Sequence, residues 1–200
     1  MCVDAILPAG GRASRMGGVN KPLLQVDGIS LLRRALLAAR PARRVVVVGP
    51  ADVPVPRGTH RVQEDPPFGG PAAAVAAGLD LLQQLGDPAP WLLVLAADQP
   101  AAELLVPPLL AAAGTLADGS EVQALIGIDS GGRRQLLTAM YATGPLAAAV
   151  RKARERPDGL AGMPFRELIA GLAVRDVPLP PAAAGDIDTW ADATRWGATR

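Results

Sequence analysis

The sequence predicts an α/β fold in which a mostly parallel sheet is covered by helices on both faces. Short apolar runs with the character of buried strands alternate along the chain with longer, helix-like segments. Strands that alternate with helices in this way form βαβ units, which build a parallel sheet between two layers of helices. Ligands of such sheets bind where loops leave the carboxyl ends of the strands. We therefore expect ligand-binding and catalytic residues in those loops.

The first half of the chain contains the clearer elements. Fully apolar stretches predict buried strands, and Ser30 and Pro71 are residues that favour helix starts. In chain order we predict a strand at 3–7, a helix at 31–39, strands at 45–48 and 61–63, a helix at 71–84, a strand at 91–96 and a helix at 102–113.

The second half alternates less regularly. It predicts strands at 122–128, 136–141 and 173–177, helices at 145–154, 165–170 and 189–196, and a stiff proline-rich connector at 178–182. The chain has 200 residues, which is long enough to bury a substantial core. We therefore assign residues 1–200 to a single domain.

Composition excludes several functional classes. The 20 basic and 19 acidic residues give a net charge of +1, so no overall field attracts nucleic acid or an anionic membrane. Cys2 is the one cysteine and His60 the one histidine, which excludes an internal disulfide, thiolate clusters and His-paired zinc motifs. We expect neither a signal peptide nor a membrane-spanning segment, and hence a cytoplasmic protein that binds neither nucleic acid nor membrane.

The most informative segment follows the first predicted strand. It reads AGGRASRMGGVNKPLL from Ala9 to Leu24 and holds four glycines, two arginines and one lysine. Glycine lets the backbone approach a ligand closely and point consecutive N–H groups at an anion. We therefore predict a polyphosphate-binding loop, with a solvated surface turn as the alternative. The segment is neither a P-loop, since Asn20 and Pro22 flank Lys21, nor a GxGxxG dinucleotide loop.

A single carboxylate follows the apolar strand at 91–96. Asp98 lies just beyond this strand, and Pro100 ends it. A carboxylate buried beside an apolar strand end is costly unless a cation or hydrogen-bond donors compensate it. Mg²⁺ held together with nucleotide phosphate is one such compensation. The alternative role for Asp98 is to cap the next helix.

These segments resemble the MobA-like nucleotidyltransferases, and in particular the molybdenum cofactor guanylyltransferases. The loop is similar to their signature LAGGxxxRMGGxxKxLL, with a proline at position 8 instead of leucine and an asparagine before the lysine instead of aspartate. In the family this loop wraps the triphosphate of the nucleotide. The resemblance therefore implies nucleotide-binding roles for Pro8, Ala9, Gly10, Gly11, Arg15, Gly17, Gly18 and Lys21.

The resemblance extends to the segment between the fourth and fifth predicted elements. Glu64–Asp65, followed by Gly70–Pro71, is similar to the acidic residue and the GPLAG-type helix start of the family. This similarity implies that Asp65, Gly70 and Pro71 contact the nucleotide. An acidic turn before an ordinary proline-started helix is the alternative.

Two further segments resemble the family's acidic motifs. Asp98 matches the aspartate that binds the metal. The segment Asp186–Ile187–Asp188 resembles the late DIDTPEDL segment, with Trp190 instead of proline, and its two carboxylates share one side of an extended chain. The resemblance implies that Asp188 helps to hold either the metal, together with Asp98, or the phosphate of the acceptor. Asp186 has a helix cap as an equally good interpretation.

The resemblance implies a fold and an activity together. The fold is a Rossmann-like three-layer sandwich of the nucleotide-diphospho-sugar transferase type. The activity is Mg²⁺-dependent transfer of GMP from GTP to molybdopterin with release of pyrophosphate, with Lys21, Arg15 and Asp98 as catalytic residues. Contact with other proteins of molybdenum cofactor biosynthesis is implied as well. The alternatives are cytidylyl transfer to the same cofactor, nucleotidyl transfer to another small phosphate, and a nucleotide-binding regulatory module without turnover.

Overall fold

The fold was analysed in a computed structural model that describes residues 1–11, 16–183 and 185–199. Its strands are β1 Val3–Pro8, β2 Gln25–Val26, β3 Ile29–Ser30, β4 Val45–Val48, β5 His60–Val62, β6 Trp91–Leu95, β7 Ala124–Ile128, β8 Arg134–Ala142 and β9 Val174–Pro178. Its helices are α1 Leu31–Ala38, α2 Pro71–Gln84, α3 Ala102–Gly114, α4 Thr143–Arg154, α5 Phe165–Leu168 and α6 Trp190–Arg195. Short 3-10 turns span Lys21–Leu23 and Pro181–Ala183.

Within the described residues, seven strands form the central sheet in the order β5-β4-β1-β6-β8-β7-β9. β8 runs antiparallel to β6 and β7, and the other neighbouring strands are parallel. Successive residues of β1 face opposite layers, since Ala5 and Leu7 belong to the core beneath α1 and α3 whereas Ile6 packs with α2. The predicted α/β class, with a mostly parallel sheet between two helical layers, is confirmed.

Local sequence explains where the main helices begin. The Ser30 hydroxyl caps α1 by accepting a hydrogen bond from the Arg33 N–H at 3.2 Å, and Pro71 occupies the first turn of α2.

α3 continues through Pro107 and Pro108. None of the described helices is long and apolar enough to cross a lipid bilayer.

A buried charge lies near the amino end of β1. Asp4 accepts hydrogen bonds from Arg43, from Arg44 and from the Ala89 N–H. Burial alone would raise the pKa of Asp4, but the two guanidinium groups and the N–H outweigh burial and lower this pKa to about 2. The buried charge of Asp4 is thus compensated, and the cluster links the amino end of β1 to the arginines that precede β4 and to Ala89.

A separate small core lies beside the first loop. Its buried members are Met16, Leu24, Val26, Leu31, Ile187 and Ala193. The antiparallel pair β2–β3 carries part of it, and Gln25 exchanges backbone hydrogen bonds of 2.8 Å with Thr199. The proline-rich connector predicted at 178–182 is instead the end of β9 followed by the second 3-10 turn. This core joins the segment after the first loop to the C-terminal segment, and both segments carry candidate site residues.

Candidate active site

The candidate site lies at the carboxyl ends of β1, β4 and β6. The Ala9 N–H donates to the Val48 carbonyl at 2.7 Å, and the Ala97 N–H donates to the Pro8 carbonyl at 2.9 Å. A Cβ atom at position 49 would lie 3.3 Å from the Ala9 carbonyl carbon, so Gly49 permits this close backbone approach. The chain therefore leaves β1 between two strand ends, as expected for a ligand loop of a parallel sheet.

Two adjoining cavities open at this edge. The smaller has a volume of about 80 Å³ and is lined by Pro8, Ala9, Gly10, Gly11, Lys21, Pro22, Ala97 and Asp98. The larger has a volume of about 270 Å³ and is lined by Pro8, Gly10, Gly11, Glu64, Phe68, Gly70, Pro71, Ala74, Ala96, Asp98 and Leu137. The glycine pair and Asp98 line both cavities, so we treat them as two parts of one site.

Lys21 supplies the positive charge of the smaller cavity. It begins the first 3-10 turn, in which its carbonyl accepts a hydrogen bond from the Leu24 N–H at 3.0 Å. Leu24 is anchored in the small core. The Lys21 ammonium donates to Oδ1 of Asp188 at 2.6 Å, with the two side chains 17% and 45% exposed. The ion pair with Asp188 thus holds the Lys21 ammonium at the wall of the smaller cavity, where an anion could bind it.

Three carboxylates converge beside Lys21. Oxygens of Asp98, Asp186 and Asp188 all lie within 4.8 Å of one another. Ile187 is buried, and its N–H donates to the Asp98 carbonyl at 3.2 Å. Because side chains alternate along an extended segment, burying Ile187 turns its two acidic neighbours to the opposite side. This backbone hydrogen bond thus brings the side chains of Asp186 and Asp188 to the carboxyl end of β6.

Burial and two neighbouring carboxylates raise the affinity of Asp98 for protons. Burial raises the pKa of Asp98 to about 6, Asp186 and Asp188 add to the rise, and Lys21 opposes it. Three carboxylates beside one ammonium leave excess negative charge near neutral pH, which a divalent cation would neutralise. Mg²⁺ prefers one or two carboxylates together with phosphate oxygens and water. The donor set therefore fits Mg²⁺.

The helix-cap alternatives are wrong. The cap position of α3 is Ala101, without a side-chain hydrogen bond, so Asp98 does not cap that helix. At α6 the cap is Thr189, which forms a reciprocal capping box with Asp192. Asp186 therefore belongs to the carboxylate cluster, although its sequence pattern predicted a metal-binding role only for Asp98 and Asp188.

The structure does not bring Asp65 to the site. This residue is exposed and lines a separate groove of about 500 Å³ together with Asp80 and Arg154. The neighbouring Glu64 is buried and lines the larger cavity instead. Asp65 lines neither of the two cavities, because the burial of one of two adjacent acids after a strand depends on how the chain turns, and its contact with the nucleotide stays a prediction.

The remaining predicted residues divide into three groups. Those that line the two cavities are Pro8, Ala9, Gly10, Gly11, Gly70 and Pro71. Gly17 and Gly18 lie in an exposed turn with φ of +69° and +77° and line neither of these two cavities. Arg15 lies outside the described residues, so its predicted role stays a prediction.

The comparison with protein families decides what kind of protein carries this site. The family model of the MobA-like NTP transferase domain matches residues 5–172. The chain belongs to this family of nucleotidyltransferases. The resemblance predicted from the loop and from Asp98 is confirmed.

Individual members of the MobA-like family are only moderately similar. A molybdenum cofactor guanylyltransferase from Cupriavidus pinatubonensis is 30% identical over 141 residues, which cover 67% of this chain and 66% of the relative. The matched region thus spans just under two thirds of that relative's length.

Two solved structures of other proteins show the same fold. Molybdopterin-guanine dinucleotide biosynthesis protein A from Archaeoglobus fulgidus has a TM-score of 0.68 at 19% identity, with 96% of each chain covered. The 2-C-methyl-D-erythritol 4-phosphate cytidylyltransferase from Thermus thermophilus has a TM-score of 0.62 at 24% identity, with 98% of this chain and 100% of the other covered. Since both proteins share the fold, the fold alone does not select the base.

The raised pKa of Asp98 predicts a pH dependence of stability in metal-free buffer. The folded protein holds this proton up to about pH 6, whereas the unfolded chain releases it near the ordinary value of 3.8. The folded state therefore binds more protons within this window, and the free energy of unfolding should fall by about 1–3 kcal/mol as pH rises through it.

Denaturant unfolding between pH 4 and 7.5 measures this effect. The Asp98→Asn variant, which cannot titrate at this position, should show a correspondingly smaller fall than the wild type. Saturating Mg²⁺ should restore wild-type stability above pH 6, because the cation binds the ionised cluster of the folded state. Identical pH profiles for the two proteins would contradict the assignment of a partly buried, proton-binding carboxyl to Asp98.

Proposed function

We propose that this protein transfers GMP from GTP to the terminal phosphate of molybdopterin, with Mg²⁺ as cofactor and pyrophosphate as the second product. The observation that carries the proposal is that Lys21 and Asp98 line one small cavity and that Asp186 and Asp188 lie next to them. A lysine ammonium and a glycine-rich backbone suit a polyphosphate, and a carboxylate cluster beside them suits the cation that accompanies it. The names of the family relatives support the choice of GTP and molybdopterin.

In this proposal the chemistry is an exchange of phosphorus–oxygen bonds. An oxygen of the acceptor phosphate attacks the α-phosphorus of GTP. The bond from that phosphorus to the bridging oxygen of the β-phosphate breaks, and pyrophosphate leaves with the electron pair. The acceptor phosphate is already an anion, so no side chain has to remove a proton from it. This fits a site in which the residues described supply charge and backbone donors rather than a histidine.

The protein's own residues would act by position and charge. Lys21 would bind the phosphate oxygens and neutralise charge that builds on the leaving pyrophosphate. Gly10 and Gly11 would let backbone N–H groups reach the phosphates. Asp98, Asp186 and Asp188 would hold Mg²⁺, which supplies charge neutralisation and orients the triphosphate when bound. Binding of the phosphates by Lys21 would also release Asp188 from its ion pair.

Selective stabilisation by GTP tests the proposal. Because a ligand that binds only the folded state stabilises it by mass action, GTP with Mg²⁺ at a hundredfold excess over Kd should raise the melting temperature by roughly 5–10 °C. ATP, CTP and UTP should raise it less, as measured by thermal unfolding at equal concentrations. Equal shifts for all four would remove the guanine assignment, and the largest shift with CTP would favour cytidylyl transfer.

A further inference from the structure

Asp192 connects the last helix to the backbone of the carboxylate cluster. It lies in the first turn of α6, and its side chain is 18% exposed. Its Oδ2 accepts hydrogen bonds from the Thr189 hydroxyl at 2.7 Å, from the Thr189 N–H at 2.9 Å and from the Asp188 N–H at 3.3 Å. One carboxylate oxygen thus binds the backbone of a candidate metal ligand and of the residue that follows it.

The carboxylate of Asp192 is itself fixed by its surroundings. Arg195 donates to Oδ1 of Asp192 at 2.7 Å. The next residue, Ala193, is buried in the small core, and so is Ile187. The hydrogen bonds to Asp192 therefore stabilise a turn that lies between two residues anchored in the same core.

The side chain of Asp188 depends on its backbone for direction. It is 45% exposed, and among the described residues Lys21 is the one donor to its carboxylate. In the proposed reaction Lys21 leaves Asp188 in order to bind phosphate oxygens. Ordering a free side chain when a ligand binds costs conformational entropy. A backbone that is fixed beforehand reduces this cost and raises the affinity for the ligand.

We infer that Asp192 is a positioning residue for the proposed metal site, because it holds the backbone N–H groups of Asp188 and Thr189 and so directs the Asp188 carboxylate at the cation. Asp192 lines neither cavity and does not belong to the group of three converging carboxylates, so it acts through Asp188. Replacing groups that orient metal ligands lowers metal affinity about 10–100-fold. This inference rests on the cation binding of the proposed function.

Mn²⁺ is the probe that measures this positioning without catalysis, since carboxylate sites suit Mn²⁺ as well as Mg²⁺ and the paramagnetic resonance signal of free Mn²⁺ reports binding. Asp192→Asn and Asp192→Ala remove the same charge, but only asparagine keeps an oxygen that can accept from the N–H groups. In protein without nucleotide we expect Asp192→Ala to bind Mn²⁺ about 10-fold more weakly than the wild type. Asp192→Asn should recover most of that loss.

Ser30→Ala is the matched control, because it removes the side-chain cap of another helix, α1. Like Asp192→Ala it should lower the melting temperature, but its Mn²⁺ affinity should equal that of the wild type. A loss of affinity in Ser30→Ala as large as in Asp192→Ala would show an effect of stability alone and overturn the inference.

The comparison of the two Asp192 variants separates the remaining outcomes. Equal Mn²⁺ affinities of Asp192→Asn and Asp192→Ala, whether both are reduced or both match the wild type, would show that the hydrogen bonds to the backbone do not position the ligand. That result would overturn the inference while the proposed function survives. A wild type that binds no Mn²⁺ would overturn the inference and the proposed metal site together.

Discussion

Asp98→Asn should greatly slow nucleotidyl transfer while making the metal-free protein more stable. Asparagine keeps the size and part of the hydrogen-bonding capacity of the strand end but removes the charge that Mg²⁺ requires. Loss of metal-assisted charge stabilisation should lower turnover by about 10³-fold, as measured by pyrophosphate release. Removing a partly buried charge from a cluster of three carboxylates should at the same time raise the melting temperature above pH 6.

The two opposite effects distinguish a metal ligand from a structural residue. If Asp98 only stabilised the fold, its replacement would lower both the stability and the activity of the protein. Higher Mg²⁺ concentrations should restore part of the activity if Asp186 and Asp188 still bind the cation weakly. Asp118→Asn on the exposed surface is the matched control and should change neither property. Normal turnover of Asp98→Asn at low Mg²⁺ would refute the catalytic assignment.

Lys21→Ala should lower turnover by about 10²–10³-fold, the usual cost of losing one preorganised charge at a transition state. The folded state should survive, because the Lys21–Asp188 pair is partly exposed and such pairs contribute about 1 kcal/mol or less. Steady-state pyrophosphate release and thermal unfolding measure the two effects.

The second lysine of the chain provides the control. Lys152 is exposed on α4, and Lys152→Ala removes the same charge without touching the cavity, so its turnover should be that of the wild type. Lys21 also lowers the pKa of Asp98. Lys21→Ala should therefore move the pH-dependent loss of metal-free stability to higher pH. A variant with near-normal turnover would show that this lysine does not bind the triphosphate.

Much of the fold could be predicted because its signals are local. The four valines of β4, the Ser30 cap and the first-turn Pro71 each determine an element within a few residues, and those elements lie where the sequence placed them. The β2–β3 pair could not be predicted in this way. Its strands have two residues each, and they are held by the small core and by Thr199 from the far end of the chain.

The site could be predicted where charged side chains follow the ends of predicted strands. Lys21, Asp98 and Asp188 meet as expected, because the ends of parallel strands share one edge and a buried Ile187 sets the direction of its neighbours. Asp186 had the right spacing, but a helix cap explained it equally well until Thr189 proved to be the cap. The choice between Glu64 and Asp65 depends on the path of a turn, which adjacent acids in a sequence do not reveal.

Pyrophosphate release in the presence of Mg²⁺ and molybdopterin tests the central claim most directly. The purified protein should be incubated with GTP, CTP, ATP or UTP in parallel, with and without molybdopterin, and pyrophosphate measured over time. The account predicts release with GTP that requires both molybdopterin and Mg²⁺. Release with CTP in preference to GTP, or the absence of molybdopterin-dependent release with any of the four nucleotides, would contradict it.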